Sequence, residues 1–153
     1  MRRSNPLPDG GAESGSAAVE FLTLGVLLLV PVVYLVLVLA TLQGAAFAAE
    51  GAARQAAREL VLAPTDADGR RAAAAAVEVG LVDWRIPESA AAVDVRCAPD
   101  PADCLVPRGS ATVTVRVAVA LPLLPPALRL GTPGAIPVEA TAVQRVSMFE
   151  VAR

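Results

Sequence analysis

Glu20 is an acid immediately ahead of an uncharged stretch that runs from Phe21 to Ala49. An acid in the first turn of a helix meets the positive end of the macrodipole and is tolerated at a membrane boundary. The remaining reactive residues are few. Every one of the thirteen basic side chains is Arg, and there is neither Lys nor His. That composition removes Ser–His and Cys–His nucleophile pairs, Schiff-base lysines and His-containing metal sites. "GGAESGS", with Gly10 and Gly15 at Gly-x4-Gly spacing, lacks the lysine of a phosphate-cradling loop and reads as a flexible segment. Asp94, Asp100 and Asp103 match no calcium-loop spacing. A formal net charge of −2 leaves no basic footprint for nucleic acid. The expectation is no catalysis, no metal, no cofactor and no nucleic-acid partner.

Cys97 and Cys104 bracket the turn-rich "APDPAD". If this part lies outside the cytoplasm, a disulfide closing the short loop is expected, worth about 2–3 kcal/mol. Free thiols are the alternative.

The element that positions Glu20 is a long apolar helix. The 29 residues from Phe21 to Ala49 would extend about 43 Å as a helix, against roughly 30 Å of hydrocarbon. The strongly apolar part, Phe21 to Leu42, is enough to span a bilayer. A secretory signal peptide competes, with "AFA" at 46–48 as its cleavage site, but its apolar core would be shorter. Arg2 and Arg3 precede the span, while Arg54 and Arg58 follow it, so charge alone does not orient it. The short leader and the cysteines in the larger C-terminal part favour a cytoplasmic N-terminus. Pro31 predicts a kink or loosening near Leu27 to Pro31, either as a flex point or as a tolerated membrane-helix proline.

Beyond the span, Ala45, Ala49, Ala53 and Ala57 recur every four residues and form a smooth stripe that permits close helix approach. It serves either as a packing face toward neighbouring subunits or as an alanine-rich stalk. Leu60–Leu62 and Pro64 end this helix. A second helix follows, capped by Thr65 or Asp66 and ending near Val82, with Ala75, Val79 and Val82 as its expected apolar face on a sheet. Trp84 reads as a core anchor. "AAVDVRC", "SATVTVRVAVAL" and "IPVEATAVQRVSMFEV" read as strands, the second with the clearest period-two alternation. "LPLLPPALRLGTPG" reads as a proline-rich apolar connection at a membrane or partner surface. The sum is an α+β fold: a long N-terminal transmembrane helix, a second helix and a small antiparallel sheet.

Gly15, Ser16, Glu20 and Phe21 together carry a resemblance. Glycine, then serine as position one, glutamate at position five, phenylalanine and a long apolar run resemble the processing site of type IV pilin-like proteins. With "SAAVEF", "EGAARQAAREL" and a valine-rich C-terminal half, most of the chain looks like the TadE-like pseudopilins of tight-adherence (Flp-type) pilus systems. Pro31 lies farther from Glu20 than that branch would place its proline, and the second acid that branch often carries late in the span is missing, since none follows Glu20 until Glu50.

The resemblance implies that a prepilin peptidase cuts between Gly15 and Ser16 on the cytoplasmic face. It also implies that Glu20 then pairs with the Ser16 amine of a neighbouring subunit and sets register. The implied organisation is a hydrophilic leader at 1–15, a transmembrane and stalk helix at 16–63, and an extracytoplasmic α+β domain at 64–153. The implied partners are prepilin peptidase, other pilin and pseudopilin subunits, an inner-membrane pilus assembly platform and membrane lipid. The alternative is a single-pass anchored, or signal-peptide-secreted, extracytoplasmic binding domain unrelated to pili.

Overall fold

A computed structural model describes residues 14–122 and 135–148. The leader ahead of Ser14 and most of the proline-rich connection, residues 123–134, lie outside the described residues. The chain divides into two compact units, Met1–Leu37 and Val38–Arg153.

Helix α1 runs unbroken over Ser14–Leu62, with Pro31 inside it. In the first unit its large apolar side chains, from Val19 to Leu37, stand in the open. The hydroxyl of Thr23 donates to the Val19 carbonyl at 2.7 Å, and that of Thr41 to the Val38 carbonyl at 2.8 Å. Both hydroxyls are therefore satisfied within the helix, as an apolar surrounding requires. By length and composition α1 is long and apolar enough to cross a membrane.

In the second unit α1 becomes amphipathic. Ala45, Ala48, Ala49, Ala52, Ala53, Ala56, Ala57, Leu60 and Val61 are all buried, a stripe at helical spacing. Helix α2, Asp66–Val82, begins with Thr65 in an extended conformation, its hydroxyl accepting from the Asp68 amide at 3.1 Å. That cap is worth about 1 kcal/mol. A Cβ on Gly69 would fall 2.6 Å from the Leu60 carbonyl oxygen, and one on Gly80 3.1 Å from the Ala52 Cβ. These pairs, Leu60 with Gly69 and Ala52 with Gly80, run in opposite directions along the two helices, so α2 returns antiparallel to α1. Glycine is needed where the backbones come this close.

The buried face of α2 is Gly69, Ala73, Val77 and Leu81. This corrects the expected face: Ala75 is exposed, and Val79 and Val82 are 67% and 63% exposed. The buried stripe keeps four-residue spacing, with Gly69 at the close approach to α1 and Ala73, Val77 and Leu81 in the core beyond it.

After a single 3-10 turn at Glu88–Ala90, three antiparallel strands form a sheet in the order β1 (Ala91–Ala98), β2 (Ser110–Ala120), β3 (Ala135–Arg145). The register pairs Val95 with Val113 and Val113 with Ala142; Val93 with Val115 and Val115 with Ala140. Ala111, Val113, Val115 and Val117 are fully buried on one face and join the α1 and α2 stripes in one core. The opposite face is polar. Thr114 and Thr141 share a hydrogen bond of 3.1 Å, and the Arg116 guanidinium donates to Glu139 across the strands at 2.6 Å. The β1–β2 connection turns at Val106–Gly109, where the Gly109 amide donates to the Val106 carbonyl at 2.8 Å and Arg108 has φ 65°. A Cβ on Gly109 would sit 2.7 Å from the Val106 carbonyl oxygen, so glycine closes this turn. The expected α+β architecture is the observed one.

Candidate functional site

Two groups of residues hold the chemistry, and they lie in different parts of the chain. The first is the opening of α1. Gly15 and Ser16 belong to the helix, which begins at Ser14. Glu20 is therefore the seventh helical residue, about 9 Å along the axis from the start. The first turn contains no acid. The macrodipole account of Glu20 is corrected accordingly, because that field fades beyond the terminal turn. Ser16 and Glu20 are four apart, hence on one face of the helix, one turn from each other. Glu20 is exposed, Phe21 is 80% exposed, and both are flanked by exposed Val19 and Leu22. A carboxylate in such company is stable in water or at an interface but costly in an apolar bundle unless it is paired.

The second group is the cysteine loop. Cys97, at the end of β1, and Cys104 form a disulfide with Cα atoms 4.9 Å apart. Both are buried. The loop is fastened to the start of α2: the Cys104 amide donates to the Asp66 carboxylate at 3.1 Å. Arg70 holds the other oxygen of Asp66 at 2.7 Å and reaches the Cys104 sulfur at 3.2 Å. Burial pushes the Asp66 carboxyl up, but the Arg70 hydrogen bond, the Cys104 amide and the Arg70 charge outweigh it and hold it below the usual aspartate value. Within the loop, Asp100 and Asp103 accept from the amides of Ala102 and Leu105, both at 2.8 Å. Their carboxylates thus serve local turns. Among the described residues no group of three or more His, Cys, Asp or Glu side chains could hold a metal ion.

The alanine stripe is a packing surface within the chain. Ala45, Ala49, Ala53 and Ala57 are at most 5% exposed and belong to the chain's own core. In the single chain the stripe packs within the chain itself. An open groove of about 460 Å³ runs instead along the outer side of the helix pair, lined by Gly51, Gln55, Ala72, Ala76 and Val79 among others. Trp84 departs from the core-anchor expectation as well. It is 51% exposed, and a Cβ on Gly44 would meet its ring at 3.2 and 3.3 Å.

The residues that sequence reasoning missed are Asp66 and Arg70 as the clamp on Cys104, and Gly44, Gly69 and Gly80 as close-approach positions. The i,i+4 spacing of Asp66 and Arg70 and the isolated glycines inside helical patterns were the available signals.

Among the described residues, fold and site together define one apolar helix able to cross a membrane, continued into a disulfide-closed α+β unit. No protein-family model, curated protein or solved structure matches the chain.

Proposed function

We propose that this chain is a minor pilin-like subunit of the TadE type. In this reading a prepilin peptidase removes residues 1–15, and the protein takes part in assembling a tight-adherence pilus or a related secretion apparatus. Its work is structural: anchoring, extraction from the membrane and helix packing, not catalysis. The N-terminus faces the cytoplasm and the disulfide-containing unit lies outside it, where oxidising conditions keep such bonds.

The observation that carries the reading is the Gly15–Ser16–x3–Glu20–Phe21 array at the head of one unbroken helix. Cleavage after Gly15 makes Ser16 the first residue and gives it a free α-amine. Glu20 then stands one turn in, as position five of the shortened chain. The apolar side chains from Phe21 to Leu37 are exposed in the single chain and remain available to lipid or to other helices. Within a helix bundle, an unpaired Glu20 would be costly, and a neighbour's Ser16 amine removes that cost. Its pairing with one amine and no other fixes the axial offset between subunits.

The Glu20→Ala variant tests the register role in the host's own membranes. It should still be cut after Gly15 but fail to co-purify with other pilin subunits. Normal incorporation of the cleaved variant would refute the assignment.

A further inference from the structure

We propose that the turn closing α2 is a lipid-contacting surface, with the Trp84 ring seated at the headgroup–acyl boundary and Phe47 and Arg85 beside that boundary. The proposal rests on reading α1 as membrane-spanning.

The level is set by the helix itself. The Trp84 ring lies against Gly44, which is two residues beyond Leu42, the last residue of the strongly apolar run. Two residues are about 3 Å of helix. Whatever depth Leu42 reaches, Trp84 is held just outside it. Phe47, about 4.5 Å further along α1, is 65% exposed, and Val82 is 63% exposed. Three large apolar side chains, Phe47, Val82 and Trp84, therefore stand uncovered close to the end of the span. Trp and other amphipathic rings favour this zone, because the ring is apolar and the indole N–H needs a polar partner. Among the described residues no acceptor takes the Trp84 N–H.

The turn is also held rigidly. The Arg85 amide donates to the Val82 carbonyl at 2.9 Å and the Ile86 amide to the Leu81 carbonyl at 3.1 Å. Arg85 has φ 56°, in the left-handed position that glycine usually fills in this cap. An arginine there costs about 1–2 kcal/mol in backbone strain. Its exposed guanidinium is a cation beside lipid phosphate, the group such a level attracts. Asp83 in the same turn offsets its charge, so the contact depends on the apolar ring and on local pairing, not on net attraction.

Trp84 is the sole tryptophan, so the natural chain carries its own depth probe. The full chain is reconstituted into phospholipid bilayers containing lipids brominated either near the headgroup or deep in the acyl chain. Trp84 emission should be blue-shifted, quenched more by the shallow than by the deep label, and protected from aqueous acrylamide. A Leu28→Trp, Trp84→Phe variant reports the span and should be quenched more by the deep label. If the Leu28→Trp probe is deep while Trp84 is quenched by acrylamide alone, the lipid seat is refuted and the span stands. If neither probe is quenched by lipid, the membrane-spanning reading fails and this proposal fails with it. If Trp84 is shielded from both lipid and acrylamide, another protein surface covers it and the proposal is wrong.

Discussion

Replacing glycine by alanine at three helical positions should change stability in three different ways, although the chemical change is the same. In an open helix interior the substitution stabilises by about 0.8–1 kcal/mol. Gly51 is such a position: a Cβ there meets nothing within 4 Å. At Gly80 the new Cβ would lie 3.1 Å from the Ala52 Cβ, tight enough to offset most of that gain. At Gly69 it would lie 2.6 Å from the Leu60 carbonyl oxygen and 3.1 Å from the Leu60 Cδ1. Backbone cannot rotate aside, so α2 must withdraw from α1 at its first turn. Overpacking of this kind costs about 1–3 kcal/mol. Because the clash is with backbone, the cost lies in the upper part of that range, and net of the propensity gain Gly69→Ala should be destabilised by about 1–2 kcal/mol. Near 100 residues, 1 kcal/mol corresponds to about 4–8 °C in Tm. Thermal unfolding of the full chain in detergent, followed by circular dichroism, should therefore rank Gly51→Ala above wild type, Gly80→Ala near it and Gly69→Ala well below. If Gly69→Ala is as stable as Gly51→Ala, α2 does not pack on Leu60 as described.

Two further perturbations probe the cysteine loop. Replacing Cys97 and Cys104 together by Ser should lower stability by about 2–3 kcal/mol; a reductant should lower the Tm of the wild type but not of the double variant. Asp66, whose folded carboxyl sits below its ordinary value near 3.9, contributes stability that is present above that value and lost as pH falls through the folded one. Denaturant unfolding from pH 5 downward should therefore show a shallower acid loss for Asp66→Asn than for wild type, and equal slopes would contradict the Arg70–Asp66–Cys104 clamp.

The sheet was legible because valines at 113, 115, 117 and 119 alternate strictly with smaller or polar residues, and strand geometry turns that alternation into one buried face. The α2 boundaries were legible from Thr65, the early acids and the interruption at Asp83–Pro87. Its buried face was not, since Val77 and Leu81 on one side of α2 are matched by Val79 and Val82 on the other, and hydropathy alone does not choose between them. Likewise the alanine stripe announced close packing without naming the partner, which is the chain's own core. Trp84 was misplaced because size and hydropathy point inward, whereas its position past the end of α2 leaves it on Gly44. Local spacing revealed the Gly15–Glu20 array and the cysteine pair. It gave no sign of Asp66 meeting Cys104, a contact made 38 residues apart along the chain.

The account stands or falls on where the finished protein begins. The full chain, produced in membranes that contain a prepilin peptidase and then purified, can be read by N-terminal sequencing and intact mass. The account predicts a chain starting at Ser16. A chain starting at Ala49 would mean a cleaved signal peptide, and one retaining residues 1–15 would mean a plain anchor; either result contradicts the pilin-like reading.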